Sequence, residues 1–435
     1  MYGMTAKLSY APPLILATAL AVTACGGGGG SGNGGANGNG TGNGSDSPAD
    51  ERPDFFDSFE SVTNHGEFQT ALDEAAGYSR DDDALEDSDD AFLIEIADDI
   101  DDDGFASAGH LEYTGDVNLY IRADDAGMHT IDADGDARIL NIDADTRIGV
   151  TGETWIEGLR FVNGDSFDGD GGAITSSDHD IFVIDSEFES NRAEDNNGGA
   201  IQTGFERVIA DGSSFTDNVA GGPDATAGGR GGAISASEAV VHDSEFNGNG
   251  FIDDVGAGGA IRADEIEIRN TTFVSHRADP GSGSPNGRGG AVFTLGGTVE
   301  DSEFENNESE YGGAIGVGRS GTLGNASLTP LEVTGSEFSN NTAEAEGGAI
   351  HATPISSEDD QADFHIQVTG TLFDTNIADA ASSGGAVHTE VWDGDIQSEN
   401  STYRDNEQEV LVSEEGELVD LGGNTFEGNP EPAWD

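Results

Sequence analysis

Lysine and cysteine are nearly missing from this chain. Its 435 residues hold one cysteine, Cys25, and 16 basic residues, of which Lys7 is the sole lysine, against 86 acidic ones. With a single cysteine no intrachain disulfide can form. The formal net charge of −70 excludes nucleic-acid binding by phosphate neutralisation and docking on an anionic membrane face. A partner has to be neutral, cationic or bridged by a divalent metal. Such a charge strains a compact fold through self-repulsion at low salt, and salt screens it within roughly 3 Å at 1 M, so the composition is that of a halophilic protein. The apolar run at residues 14–22 is too short to cross a bilayer as a mature helix.

Glycine is plentiful, at 66 residues, and much of it is periodic. Gly-Gly-Ala-Ile or Gly-Gly-Ala-Val starts at Gly171, Gly198, Gly231, Gly258, Gly289, Gly312, Gly347 and Gly384. Each is answered by an aromatic residue and, three positions on, a polar one: Phe188 with Asn191, Phe215 with Asn218, Phe246 with Asn249, Phe273 with His276, Phe304 with Asn307, Phe338 with Asn341, Phe373 with Asn376, Tyr403 with Asn406. The starts lie 27, 33, 27, 31, 23, 35 and 37 residues apart, a common coil carrying inserts. Repeats with one apolar signature per unit stack into solenoids, because one unit cannot bury its own apolar face. The alternation in residues 181–188 and 266–273 selects strands over helices.

A coil of short strands is a parallel β-helix, each strand pairing with its counterpart one coil away at roughly 4.8 Å. Equivalent residues then stack into files. Ile174, Ile201, Ile234, Ile261, Val292, Ile315, Ile350 and Val387 form an aliphatic file, the aromatic residues a second, and the Asn side chains an amide ladder inside a turn. The paired glycines fit a corner that needs φ > 0 and leaves no room for Cβ. Strand-like stretches at 93–96, 117–121, 139–142 and 155–161 start the coils near Phe92, and 410–412, 418–421 and 426–429 continue them. Pro430 and Pro432 then end pairing. Four inserts fall at 220–230, 278–288, 316–330 and 353–364, where solenoids usually carry binding sites.

The alternation of Gly-Gly-Ala-Ile with Phe-x-x-Asn resembles the chlamydial polymorphic outer membrane proteins and related right-handed β-helix proteins, over residues 91–429. The resemblance implies an all-β fold: a right-handed single-stranded parallel β-helix (solenoid), with a short N-terminal capping helix read from the residues before it. It also implies a surface-displayed passenger acting in adhesion. In that family a membrane barrel follows the passenger; no run of amphipathic strands to make one precedes Asp435.

The remaining segments complete the expected organisation. Residues 1–24 resemble a lipoprotein signal peptide: Lys7 precedes the apolar run, and Val22 to Cys25 match a lipobox, which makes Cys25 the lipidation site. Gly26 follows it in place of the Asp that retains many lipoproteins at the inner membrane, so the expected location is the outer membrane, at the cell surface. Residues 25–50 read as a Gly/Asn/Ser-rich tether. Residues 51–90 read as an acidic segment whose helix, about 67–78 and started by Thr63 or Asn64, plugs the open end of the first coil. Residues 430–435 form a C-terminal tail.

For chemistry, the sequence offers candidates but no catalytic residue. Polysaccharide lyases and glycoside hydrolases on β-helices are the alternative to a non-catalytic adhesin; a lyase needs Ca²⁺-binding carboxylates and a basic side chain at the abstracted proton. Lysine is missing, and no Arg recurs at one position on adjacent coils. Asp99, Asp101 and Asp103 open like a Ca²⁺ loop, yet the twelfth position holds His110 where an EF-hand needs a bidentate acid. Residues 132–136 and 165–170 are equally acidic and read as solvated turns. His351 and His388 follow the Gly-Gly-Ala motif in neighbouring repeats and are expected to stack on the outer face, a possible two-His metal site. No cofactor is required by the sequence, and the partners expected are a lipid membrane through Cys25 and a surface glycan or protein at the inserts.

Overall fold

The computed structural model describes residues 52–78, 90–101, 103–143, 152–167, 169–194, 197–221, 229–251, 256–278, 288–318, 328–353, 364–379, 384–391, 394–407, 409–414 and 416–434. Cys25 and the tether lie outside the described residues, as do the middle parts of all four inserts.

Four long parallel sheets carry the chain, and a fifth has two strands, Gly229–Arg230 and Gly256–Ala257. Sheet I has 13 strands, from Phe55–Val62 to Leu418–Gly422; sheet II has 11, from Leu111–Tyr113 to Glu409–Ser413; sheet III has 11, from His129–Asp132 to Thr425–Glu427; sheet IV has 8, from Asp165–Ser166 to Ile377–Ala378. One coil visits them in the order II, I, III, IV, as in Ile174–Ser176, His179–Ile184, Glu187–Glu189 and Arg192–Ala193. Each of these strands pairs in parallel with its counterpart in the next coil. The protein is therefore an all-β parallel β-helix.

The strands are short because corners recur. Two corners per coil have φ > 0 on either side of the sheet III strand, for example Asp185 and Ser190, then Gly212 and Asp217, then Asp243 and Gly248. Asp, Asn and Gly tolerate this left-handed backbone best. Part of the acidic excess is thus turn chemistry.

The expected files are present in register. Ile174 pairs with Ile201, then Ile234, Ile261, Val292, Ile315, Ile350 and Val387, all fully buried. The aromatic file runs from Phe161 to Phe426, its rings 4.7 to 5.3 Å apart with planes within 13° of parallel. Burying each such side chain contributes about 1.5–3 kcal/mol. Tyr403 brings a hydroxyl into this file; it bonds Ser398 Oγ at 2.8 Å, which also bonds Asn424 at 2.9 Å.

The amide ladder forms as expected and is closed on every side. Asn341 Nδ2 donates to Asn376 Oδ1 at 3.0 Å and to the Phe304 carbonyl at 2.9 Å, while its Oδ1 accepts the Asn307 N–H at 3.1 Å and Nδ2 at 2.9 Å. A buried amide with all its bonds made stabilises; one with an orphaned group destabilises by about 1–3 kcal/mol. A second polar ladder accompanies it. Two positions before each aromatic from Phe188 to Tyr403 stands Ser or Thr, and the N–H of one bonds the hydroxyl of the next: Ser186 to Ser213, Ser213 to Ser244 and Ser302 to Ser336, each at 3.1 Å.

The glycine pair divides its labour, which corrects the single-corner reading. From Gly171 to Gly347 the first glycine holds the positive φ, 62° at Gly171 and 66° at Gly289, while Gly384 does not. The second has no positive φ; it is a close approach, since a Cβ on Gly259 would stand 2.0 Å from the Gly290 carbonyl oxygen of the next coil. Neither position can take a side chain: at the first, φ and the carbonyl three residues on both forbid it, a Cβ on Gly171 standing 2.1 Å from the Ile174 oxygen, and at the second the next coil does.

At the N-terminal end the structure departs from expectation. Coils begin not near Phe92 but at Phe55–Val62, which pairs with Ala91–Ile96 as the first strand of sheet I. Between them the helix His65–Ala75 is capped by the Asn64 side chain, which accepts the Glu67 N–H, and it buries His65, Phe68, Ala71, Leu72 and Ala75. Its Gln69 amide meets Glu112 on the outermost strand of sheet II: Nε2 donates to the Glu112 carbonyl and Oε1 accepts the Glu112 N–H, both at 2.9 Å. One side chain thus satisfies a strand edge that would otherwise be open to pairing.

Candidate functional site

Side chains that leave sheet II on the face opposite the aliphatic file form an outward column. From the first Gly-Gly-Ala coil it reads Thr175, Gln202, Ser235, Arg262, Phe293, Gly316, His351, His388 and Val412, paired in register. The two histidines are therefore stacked, as the sequence indicated, with ring centroids 5.4 Å apart. They are not on the surface, however: His351 is 1% exposed and His388 is fully buried.

Two glutamates close on them. Glu346 ends a sheet IV strand, Thr342–Glu346, and Glu390 directly follows the His388 strand, Gly384–Thr389. His351 Nε2 lies 3.4 Å from a Glu346 oxygen and 3.8 Å from a Glu390 oxygen; His388 Nε2 lies 3.9 Å from Glu346 and 3.8 Å from Glu414. One donor atom from each of Glu346, His351, His388 and Glu390 falls within 4.8 Å of all the others. Both Nε2 atoms and Glu346 Oε2 are buried without a hydrogen-bond partner among the described residues. Burial pushes the His388 imidazole below its ordinary pKa, and His351 beside it pushes further, so His388 is neutral. His351 holds the Glu390 carboxyl well below the usual carboxylate range, against burial. Around the cluster stand Tyr311, whose ring is 5.1 Å from that of His351, and Arg288, which interacts with Glu390, Tyr311 and Glu310.

The other acidic candidates do not converge in this way among the described residues. Asp99 accepts the Thr130 N–H at 2.8 Å and faces His129 at 3.8 Å, while Asp101 and Asp103 are exposed. Asp132 bonds Asp134 N–H at 2.8 Å and Asn163 at 3.0 Å, as a solvated turn does. Asp165 is pushed up to about 6, by burial first and then by Glu194. Cys25, the lipidation candidate, lies outside the described residues. The sequence reading missed Glu346 and Glu390 because nothing marks two glutamates among 86 acids. The signal that finds them is local: Glu precedes Gly347 in the repeat that ends in His351, and Glu390 stands two after His388.

The inserts have a shared geography. The chain leaves sheet IV before 222–228 and 279–287 and returns toward sheet II; it leaves sheet II before 319–327 and 354–363 and returns at sheet I. Both sets are rooted along the borders of sheet II, the face that carries the histidine column.

Residues 335–353, from the corner before Phe338 through the Asn341 rung and the glycine pair to His351, match the Chlamydia polymorphic membrane protein (Chlamydia_PMP) repeat. No curated protein and no solved structure matches the chain.

Proposed function

We propose that this chain is a surface-displayed β-helix, held on the outer membrane by lipid on Cys25, whose work is non-catalytic adhesion or presentation. The observation that carries the reading is the rooting of all four inserts on the two borders of sheet II, which makes that face the recognition surface on a scaffold fixed by its ladders. The polymorphic-membrane-protein repeat at 335–353 supports a surface setting. The ligand fits a neutral or cationic surface, because the charge of −70 repels anionic ones.

The test has two arms. Purified protein is screened for binding and for turnover against pectins, alginates, neutral glycans and cationic proteins, with the variants lacking 222–228 or 354–363 as controls. Saturable binding that those deletions abolish, with the melting temperature unchanged, is the expected result; turnover of any glycan would replace this reading with the lyase or hydrolase one. In cells, Cys25→Ser is expected to move the protein from the membrane fraction to the soluble one, and persistent membrane fractionation would remove the anchor.

A further inference from the structure

The amide and hydroxyl ladders pair their buried polar groups coil after coil. Among the buried polar atoms left without a hydrogen-bond partner in the described residues, three face one another, His351 Nε2, His388 Nε2 and Glu346 Oε2, and orphaned donors and acceptors that converge on one point need a common partner. We propose that Glu346, His351, His388 and Glu390 bind one divalent transition-metal ion with zinc-like coordination, on the outward side of sheet II between its two insert-bearing borders.

The donor set selects the ion. Two imidazoles and two carboxylates suit a four-coordinate Zn²⁺-type ion; Ca²⁺ takes six to eight oxygens and has no use for buried imidazole. A tetrahedral ion about 2.0–2.1 Å from each ligand holds its donors roughly 3.3–3.4 Å apart. His351 and Glu346 already stand at 3.4 Å; two further pairs, His351 with Glu390 and His388 with Glu346, at 3.8 and 3.9 Å, need to contract by about half an ångström to reach that spacing, and every donor pair starts within 4.8 Å. Two glutamates balance the charge of a dication. Arg288 and Glu310 nearby offset each other in charge.

Parallel register builds the site. His351 and His388 are 37 residues apart in the chain, and in-register pairing one coil apart brings their rings together. Gly316, the column member one coil below His351, adds no side chain of its own to the column there. An ion on His388 Nε2 puts the ring proton on Nδ1, so the 3.4 Å contact from the Gly384 N–H to Nδ1 lengthens on loading.

The experiment uses the full chain stripped of metal and titrated with Co²⁺. Expected is one equivalent bound with the intense visible d–d absorption of a four-coordinate ion, discharged by stoichiometric Zn²⁺, and a rise in melting temperature with Zn²⁺. In His351→Gln/His388→Gln, which keeps every carboxylate and Cys25, that absorption and that rise are expected to vanish while weak Co²⁺ binding by surface acids persists. Glu346→Gln, which leaves both imidazoles in place, is expected to weaken Co²⁺ affinity at least tenfold and serves if the double variant does not fold. Absence of a four-coordinate spectrum in the folded wild type, or its survival in either variant at wild-type affinity, overturns the site.

Discussion

At the scale of single residues, His276 is the informative exception in the amide ladder. It stands where the other repeats from Phe188 to Tyr403 have Asn, and it reproduces part of the amide's role: Nδ1 accepts the Asn249 N–H at 3.1 Å, Nε2 faces the Phe246 carbonyl at 3.1 Å as donor, and its own N–H goes to Asn307 Oδ1 at 3.0 Å. Only the neutral ring, protonated on Nε2, can do this, and burial pushes its pKa down to about 4. A histidine whose folded value lies below the unfolded one, near 6.5, contributes stability that is fully present above pH 6.5 and is lost as pH falls through about 4. His276→Asn is therefore expected to fold within about 1 kcal/mol of the wild type at pH 8, and to be the more stable of the two at pH 4 by roughly 3 kcal/mol. Urea denaturation of both proteins from pH 4 to 8 checks this, and parallel pH curves would contradict the assignment. The residue scale also shows what the sequence could disclose. Ile, Phe and Asn announced themselves by recurrence, which is how a file in register must look before it is folded. The Ser/Thr ladder recurs just as regularly, but small hydroxyl residues are too common elsewhere in the chain for the pattern to stand out. Glu346 and Glu390 do not recur, and their meeting with the histidines is a product of register alone.

At the scale of elements, the helix His65–Ala75 was legible from its cap and its apolar stripe, while the strand before it was not. Phe55–Val62 has its apolar residues at 55, 56, 59 and 62, without the alternation of a strand, and its acids and the preceding Pro53 made it read as part of an acidic lead-in. What makes it a strand is the partner, Ala91–Ile96, reached across the helix. The helix therefore sits within the first coil of the solenoid and guards its end, and the Gln69 amide is the contact that closes sheet II. Gln69→Ala removes the two hydrogen bonds to Glu112, each contributing about 0.5–1.5 kcal/mol net, together with an exposed one to Asp73, and uncovers the Glu112 edge. A loss of about 1–2 kcal/mol in denaturation is expected, together with concentration-dependent association seen by light scattering. Gln69→Glu keeps the acceptor and loses the donor, so it should fall between. Wild-type stability and monodispersity in Gln69→Ala would show that the edge is guarded by other means.

At the scale of the whole molecule, stacking in register multiplies the effect of charge. A parallel β-helix sets like beside like, so acids on outward positions of neighbouring coils face each other: Glu303 pairs with Glu337, and Glu238 with Glu265. Both Glu303 and Glu238 are pushed above the ordinary carboxylate range, by burial first, and Glu337 and Glu265 respectively push in the same direction. A carboxylate raised in the fold is one whose ionised form the fold disfavours, so at neutral pH these columns work against the native state. Arginines relieve some of this across coils, as Arg207 does with Asp180 at 2.8 Å and Arg269 with Glu300 at 3.0 Å. With 16 basic residues against 86 acids they cannot relieve all of it, and dissolved ions must screen the rest. The screening length falls from about 10 Å at 0.1 M salt to 3 Å at 1 M, below the roughly 4.8 Å between coils. Between those concentrations of NaCl the melting temperature is expected to rise by about 5–10 °C, a few kcal/mol for a chain of this size. Because the cause is screening, choline chloride at equal ionic strength should give the same rise, which specific cation binding would not. A melting temperature flat in both salts would mean that the acidic columns are already neutralised within the fold.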